Sequence, residues 1–178
     1  MTIDRQITAQ IIGFAAFFFG VYAFVHKNDR YLKKLLIAQS FILTLHFFLL
    51  GAHGAIASTF VSGLRLVASL FGNLRHLAPL FIILYIVLGF IRYQHWYDAV
   101  PILGSCVSTI GFFYCRDIKM RLCSLFSTCL WIIHNTAVGS VGPLLMEITI
   151  FVVNLRTILT LSKAHRKVSP GVDLPLMD

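Results

Sequence analysis

Charge is the scarcest property of this chain. Asp and Glu together number seven in 178 residues, and all four charged residue types make up only 12%. A soluble domain of this size usually carries about twice that share, so a water-facing surface all round is excluded. Cysteine is sparse too. Cys106, Cys115, Cys123 and Cys129 form no C-x-x-C pair and at least three lie inside apolar stretches, which reads as packing rather than a disulfide or zinc site. There is no nucleotide-binding glycine loop, no nucleophile motif and no pair of carboxylates, so the chain is expected not to be an enzyme and to need no cofactor. Met1 to Gln6 lacks a clear basic leader, and no small-x-small site comes before the charged run at His26. The first apolar stretch is therefore expected to be retained as a helix rather than cleaved.

What the chain has instead is apolar surface: 58% hydrophobic residues and a mean hydropathy of +0.83. In water that surface would aggregate, whereas a bilayer accepts it. A spanning helix needs about 20 apolar residues, so the length holds seven spans with short loops and no separate soluble domain. The pattern places them at 7–25, 33–50, 54–72, 78–92, 98–115, 119–138 and 142–161, the fourth being short. The turns after spans two and six, 51–54 and 139–142, are tight and contain glycine.

The formal charge is +8. Its placement favours lipid over nucleic acid, because the cations sit in short loops. Of fifteen Lys and Arg, eleven fall in the loops after spans one, three and five and in the C-terminal tail; Arg5 and Arg92 fall on the other side, and Arg65 and Arg156 lie within spans. The positive-inside rule then predicts an outside N-terminus, a cytoplasmic C-terminus and an odd number of spans, with Tyr93, Trp96 and Tyr97 at the outer interface.

The chain also repeats weakly. Gly13 and Gly20 match Gly104 and Gly111 at an offset of 91; His46, Gly51 and Gly54 match His134, Gly139 and Gly142 at 88; Leu64-Arg65 matches Leu155-Arg156 at 91. The expected fold class is an all-α integral membrane protein. Two parallel three-helix bundles, 1–75 and 98–165, flank a linker helix over 76–97, and a disordered cytoplasmic tail follows over 166–178. That is the plan of parallel-repeat transporters, with a solute path between the triplets.

Few polar groups lie within the spans, and such groups usually face the protein interior. His46, His134, Asn135 and Glu147 fall in the outer halves, Asn154 near the midplane, and Arg65 and Arg156 in the inner halves. Together they are the candidate translocation path: the histidines and Glu147 for solute or proton coupling, the arginines for an anionic group. The local alternative is that each His caps its own turn, each Arg snorkels to headgroups and Glu147 balances one cation. A third reading takes His46, His134 and Glu147 as ligands of a transported transition metal, although their spacing is not tight.

At His46-Phe47-Phe48-Leu49-Leu50-Gly51, and again from Phe126-Ser127-Thr128-Cys129 through Trp131, His134-Asn135 and Gly139-Ser140, the sequence resembles the YgjV family of bacterial inner-membrane proteins. The resemblance extends through Met120-Arg121, Glu147 and Asn154. It implies an inner-membrane location and a distant similarity to the SWEET, PQ-loop and PnuC-like group of small-solute transporters. Those proteins often use midplane asparagines on spans three and seven. Asn154 fits that pattern, but Ser62 and Gly63 stand at the position on span three. The tryptophan motif of nicotinamide-riboside transporters is absent. The expected function is thus a small polar solute carrier, the alternative being a membrane interaction or assembly protein.

Overall fold

The computed structural model describes residues 3–25, 29–71, 75–91, 93–115 and 117–168. They form seven α-helices: α1 (Ile3–Val25), α2 (Asp29–Leu50), α3 (His53–Ala68), α4 (Ala78–Ile91), α5 (Trp96–Tyr114), α6 (Asp117–Ala137) and α7 (Val141–Val168). Two short 3-10 turns, Ser69–Phe71 and Arg75–Leu77, lead from α3 to α4. Each expected apolar stretch is one helix. Four segments are long and apolar enough to cross a membrane, namely Ile3–Ala23, Lys33–Leu50, His53–Phe71 and Val141–Thr160, while the apolar Arg75–Ile91 is shorter. At 14 residues α4 reaches about 21 Å, less than a typical hydrocarbon layer of about 30 Å. At the other extreme α7 overruns its expected end and runs to Val168; its one proline, Pro143, sits in the first turn, where it interrupts no intrahelical hydrogen bond. The first three residues of the expected tail, 166–168, are therefore helical rather than disordered, and the rest of the tail lies outside the described residues.

The helices pack as a ring: α1 on α2, α2 on α3, α3 on α5, α5 on α6, α6 on α7, and α7 back on α1. α4 packs on α3 and α5. It fills their joint with Phe81 and Tyr85, which meet Val61 of α3 and Ile102 of α5. The arrangement is polar within and apolar without. His46, Ser58, Thr109 and His134 have no exposure, whereas Phe18, Phe90, Phe112, Phe126 and Leu159 are exposed on five different helices. That is the inverse of a water-soluble core, and it suits a hydrocarbon surround.

Both tight turns are built alike. Gly51 and Gly139 adopt φ of 73° and 66°. The next residues, Ala52 and Ser140, donate their backbone N–H to the carbonyls of Phe47 (3.0 Å) and Asn135 (2.8 Å). These are helix-ending turns in which the left-handed residue satisfies the last carbonyls. Just past them, Gly54 and Gly142 serve close approach. A Cβ on Gly54 would fall into the backbone of Asp98 in α5, and one on Gly142 into the backbone of Gly13 in α1. These two glycines therefore set how tightly α3 meets α5 and α7 meets α1. The side of the ring that carries these turns is its turn face. The opposite side, where Lys33, Lys34, Lys119 and Arg121 open α2 and α6, is the basic face.

The two kinds of glycine predict different costs. Nothing lies within 4 Å of a Cβ at Gly51 or Gly139, so an alanine there meets only the left-handed backbone penalty of about 1–2 kcal/mol. Gly54→Ala and Gly142→Ala collide with backbone that cannot yield. We expect them to abolish monodisperse protein in detergent, while Gly51→Ala and Gly139→Ala lower the unfolding temperature by a few degrees. Size-exclusion profiles and thermal unfolding of the four variants check this.

Candidate functional site

The turn face is held shut by side chains that reach for backbone. His46 Nδ1 donates to the Ala9 carbonyl of α1 at 2.6 Å, and its Nε2 lies 2.7 Å from Ser140 Oγ in the α6–α7 turn. A carbonyl can only accept, so Nδ1 carries the proton and Nε2 accepts from the Ser140 hydroxyl. Gly13 makes room for the ring, since a Cβ there would meet the imidazole. One step along α1, Gln10 donates its amide to the Gly139 carbonyl (2.6 Å) and accepts the Val141 N–H (3.2 Å). Together His46 and Gln10 tie the start of α7 to α1 and α2.

Across the ring the same pattern recurs at a constant offset of 88. His134 Nδ1 donates to the Tyr97 carbonyl of α5 at 2.9 Å, as His46 does to Ala9. The carbonyl is available for a chemical reason. Pro101 stands four residues on and has no N–H to give it. Asp98 takes the place of Gln10. Its carboxylate accepts the N–H of Gly54 (3.2 Å), opening α3, and those of Gln94 (3.1 Å) and His95 (2.9 Å), opening α5. Two helix N-termini converge on this anion, which is only 1% exposed. These contacts pair Gly13 with Pro101, not with Gly104 as glycine matching suggested. Gly104 instead packs against Trp131 and Ser127.

The match fails at the second ring nitrogen. The partner of His46 Nε2 is Ser140, and the residue 88 positions earlier is Ala52, which has no hydroxyl. His134 Nε2 is accordingly buried with no partner among the described residues, and so are both amide atoms of Asn135 and the Ser58 hydroxyl. Phe47 stands where Asn135 stands in the other half. Its ring lies 4.9 Å from His46, 5.7 Å from His134 and 5.9 Å from Trp131. With Ala52 and Ala55 it forms a buried apolar plug between α2 and α6.

Below the plug lies a cavity of about 1160 Å³ whose lining comes from the basic-face half of the ring. Three cations contribute: Lys33, Arg65 and Arg121. Arg65 turns inward, its Nη1 donating to Thr109 Oγ1 at 2.7 Å with the guanidinium 5.6 Å from the Phe112 ring centre. Arg121 donates to Asn154 Oδ1 (3.2 Å), and Asn154 donates on to Ser124 Oγ (3.0 Å). Lys33 donates to the Ser69 carbonyl (3.0 Å). Gln39, Ser40, Ser62, Ser108 and Thr149 add further polar groups.

Of the candidate path residues, Arg65 and Asn154 line this cavity, while His46, His134 and Asn135 lie in the closure above it. Glu147 sits on the flank of α7 beside the lining residues Met146 and Thr149 and takes the Thr128 hydroxyl as a hydrogen-bond partner. Arg156 is exposed and outside the cavity lining. His46, His134 and Glu147 do not converge, and no group of three His, Cys, Asp or Glu able to hold a metal occurs among the described residues. Sequence reasoning missed Arg121, which the charge bias counted as a loop cation, and Asp98. The second had a signal, an acidic residue at the third position of a helix.

A family model described as a bacterial inner membrane protein matches residues 7–165. The inner membrane protein YgjV of Escherichia coli (strain K12) is 32% identical over 165 residues, covering 93% of this chain and 88% of that protein. No solved structure matches the chain. The matched length and the identity agree with the motifs around His46 and His134: the chain belongs to the YgjV family of bacterial inner membrane proteins.

Proposed function

We propose that this protein is a carrier for a small polar solute, held with its turn face shut and its cavity reached from the basic face. The observation that carries the reading is the pairing of a closed end with a cavity that three cations line within one ring of helices. The cavity lining extends from Lys33 to Leu43 along α2, about 15 Å at 1.5 Å per residue, and stops below the Phe47 plug. Three cations and several hydroxyl and amide side chains facing one mostly apolar cavity support a solute path, because polar groups without a task there would be costly.

The ring is read as two parallel three-helix bundles, α1–α3 and α5–α7, with α4 as the linker. The contacts recurring at an offset of 88 support this. α4 supplies the odd crossing that keeps the two triplets parallel, the 3+1+3 plan also found in SWEET-type transporters. By the positive-inside rule the basic face is cytoplasmic and the turn face periplasmic. The bundles touch at α3–α5 and α7–α1. Rocking that hinges at α3–α5 and parts α7 from α1 would open the turn face and close the cavity. In that motion His46 releases Ser140, and Gln10 releases the α6–α7 turn. Glu147, a carboxylate in the membrane with only a hydroxyl partner among the described residues, is the group placed to couple a proton. The interaction-protein reading predicts a sealed interior instead. Nothing in the site assembles a nucleophile with a base, so no enzymatic step is proposed.

Thiol labelling separates the readings. In a background with the four native cysteines replaced by serine, Ser108→Cys and Thr149→Cys place thiols on the cavity lining. We expect a membrane-impermeant maleimide to modify both from the cytoplasmic side of oriented vesicles and neither from the other. Adding Phe47→Ala, which removes the plug, should make both reactive from both sides. Thiols protected on both sides with and without the plug would sink the carrier reading and favour the interaction protein.

A further inference from the structure

We propose that the cavity is a binding site for the anionic group of a small organic solute, a carboxylate or phosphate carried on an apolar body. The inference rests on the carrier reading for the word solute, but the site stands on its own observations. Three cations, Lys33, Arg65 and Arg121, face one cavity, and its described lining contains no carboxylate. Arg65 and Arg121 are held by neutral partners, Thr109 and Asn154, and the salt bridges among the described residues include neither. A guanidinium has five N–H donors. Among the described residues one hydrogen bond apiece positions each fork, which leaves the other donors for a ligand.

The environment sharpens the preference. A cleft with low-dielectric walls and charge of one sign concentrates its field on whatever enters. Arginine adds to this a planar fork that grips carboxylate or phosphate through two parallel hydrogen bonds. A neutral sugar would leave these charges uncompensated, and a cation would be repelled. The rest of the lining is apolar and aromatic, with Phe81, Phe113, Leu36 and Leu43 above and beside the cations. Such walls suit an apolar body, not a bare inorganic ion. A volume of about 1160 Å³ exceeds the ordinary range for drug-sized ligands, about 300–1,000 Å³, so the body has room. Snorkelling to headgroups does not account for Arg65, whose guanidinium turns inward onto Thr109, itself fully buried.

The same chemistry reaches the cavity from two sources, a free organic anion or the phosphate of an anionic lipid. Both are tested with the full chain in nanodiscs of phosphatidylcholine, by thermal shift with phenyl phosphate. Phenyl glucoside matches its body without the charge, and inorganic phosphate matches the charge without the body. We expect phenyl phosphate to stabilise at lower concentration than inorganic phosphate, and phenyl glucoside to have no effect. Arg65→Gln and Arg121→Gln should each weaken the apparent affinity at least tenfold, while Lys119→Gln, an exposed cation on the same face, should change it less than twofold. Arg65→Lys keeps the charge and the fold while losing the fork, so an intermediate loss there excludes misfolding as the cause.

Equal stabilisation by phenyl glucoside, or equal loss in Lys119→Gln, overturns the proposal. Repeating the titration with phosphatidylglycerol in the disc separates the sources. Displacement of phenyl phosphate by that lipid, abolished in Arg65→Gln, keeps the anion site and reassigns it to lipid. Absence of displacement assigns it to a soluble anion. Flux into proteoliposomes divides this proposal from the carrier reading. Anion binding without flux leaves the site standing and removes the carrier; flux of a neutral solute without anion binding does the reverse.

Discussion

Inside a bilayer there is no water to satisfy a stray donor or acceptor, so a polar group in these helices is costly unless it finds a partner within the ring. That constraint explains the side chains that would otherwise look like scattered polar interruptions. Asp98 is tolerated in the interior because three backbone N–H groups and two helix N-termini meet it. His46 is tolerated because it has a carbonyl on one side and a hydroxyl on the other. Each satisfies its need by reaching to another helix. The polar groups that cost most in lipid are therefore also the ones that fasten the helices together.

The same constraint shows which parts were legible in the sequence. Helix number and approximate ends follow from apolar runs of membrane length, and they are read without knowledge of packing. The histidine pair was legible because a His-(x)4-Gly turn is short, local and repeated. Arg65, Arg121 and Arg156 could not be separated by such reading. Which of them faces the cavity depends on the rotation of each helix about its axis, and nearly continuous apolar composition erases the amphipathic phase that would reveal it. Glycine misled for a related reason. Gly20 meets Gln39 and Gly111 meets Cys123. Those two lie on corresponding seams, α1 with α2 and α5 with α6, whereas Gly13 and Gly104 meet different neighbours, His46 and Pro143 against Trp131 and Ser127. The equivalent of Gly13 is Pro101, with opposite chemistry and the same result. One clears space for an imidazole, and the other frees a carbonyl for it.

Two departures from the repeat meet at the plug. Ser140 faces Ala52 across the offset, and Phe47 faces Asn135. The first leaves His134 with a bare ring nitrogen; the second places an aromatic ring on one side and an amide with no described partner on the other. Repetition supplies the scaffold, and these substitutions give its two halves different chemistry at the closed end.

On the carrier reading the closure must also open, and so cannot be welded. Deep apolar interdigitation along whole helices would be lost all at once on separation, whereas the turn-face fastenings are few and mostly single hydrogen bonds. Each has a net worth of about 1 kcal/mol, and each leaves groups that water can take over when the turn face is wet. His46 to Ser140 and Gln10 to Gly139 and Val141 are fastenings of that kind. The Asp98 contacts are not, because breaking them strands a buried charge. The α3–α5 and α7–α1 seams of the ring therefore differ in strength. The α3–α5 seam is anchored by Asp98, the close approach at Gly54 and the packing of α4. The α7–α1 seam carries Gln10 and the close approach at Gly142 without a buried charge. If the ring opens, physical chemistry places the hinge at the former and the parting at the latter.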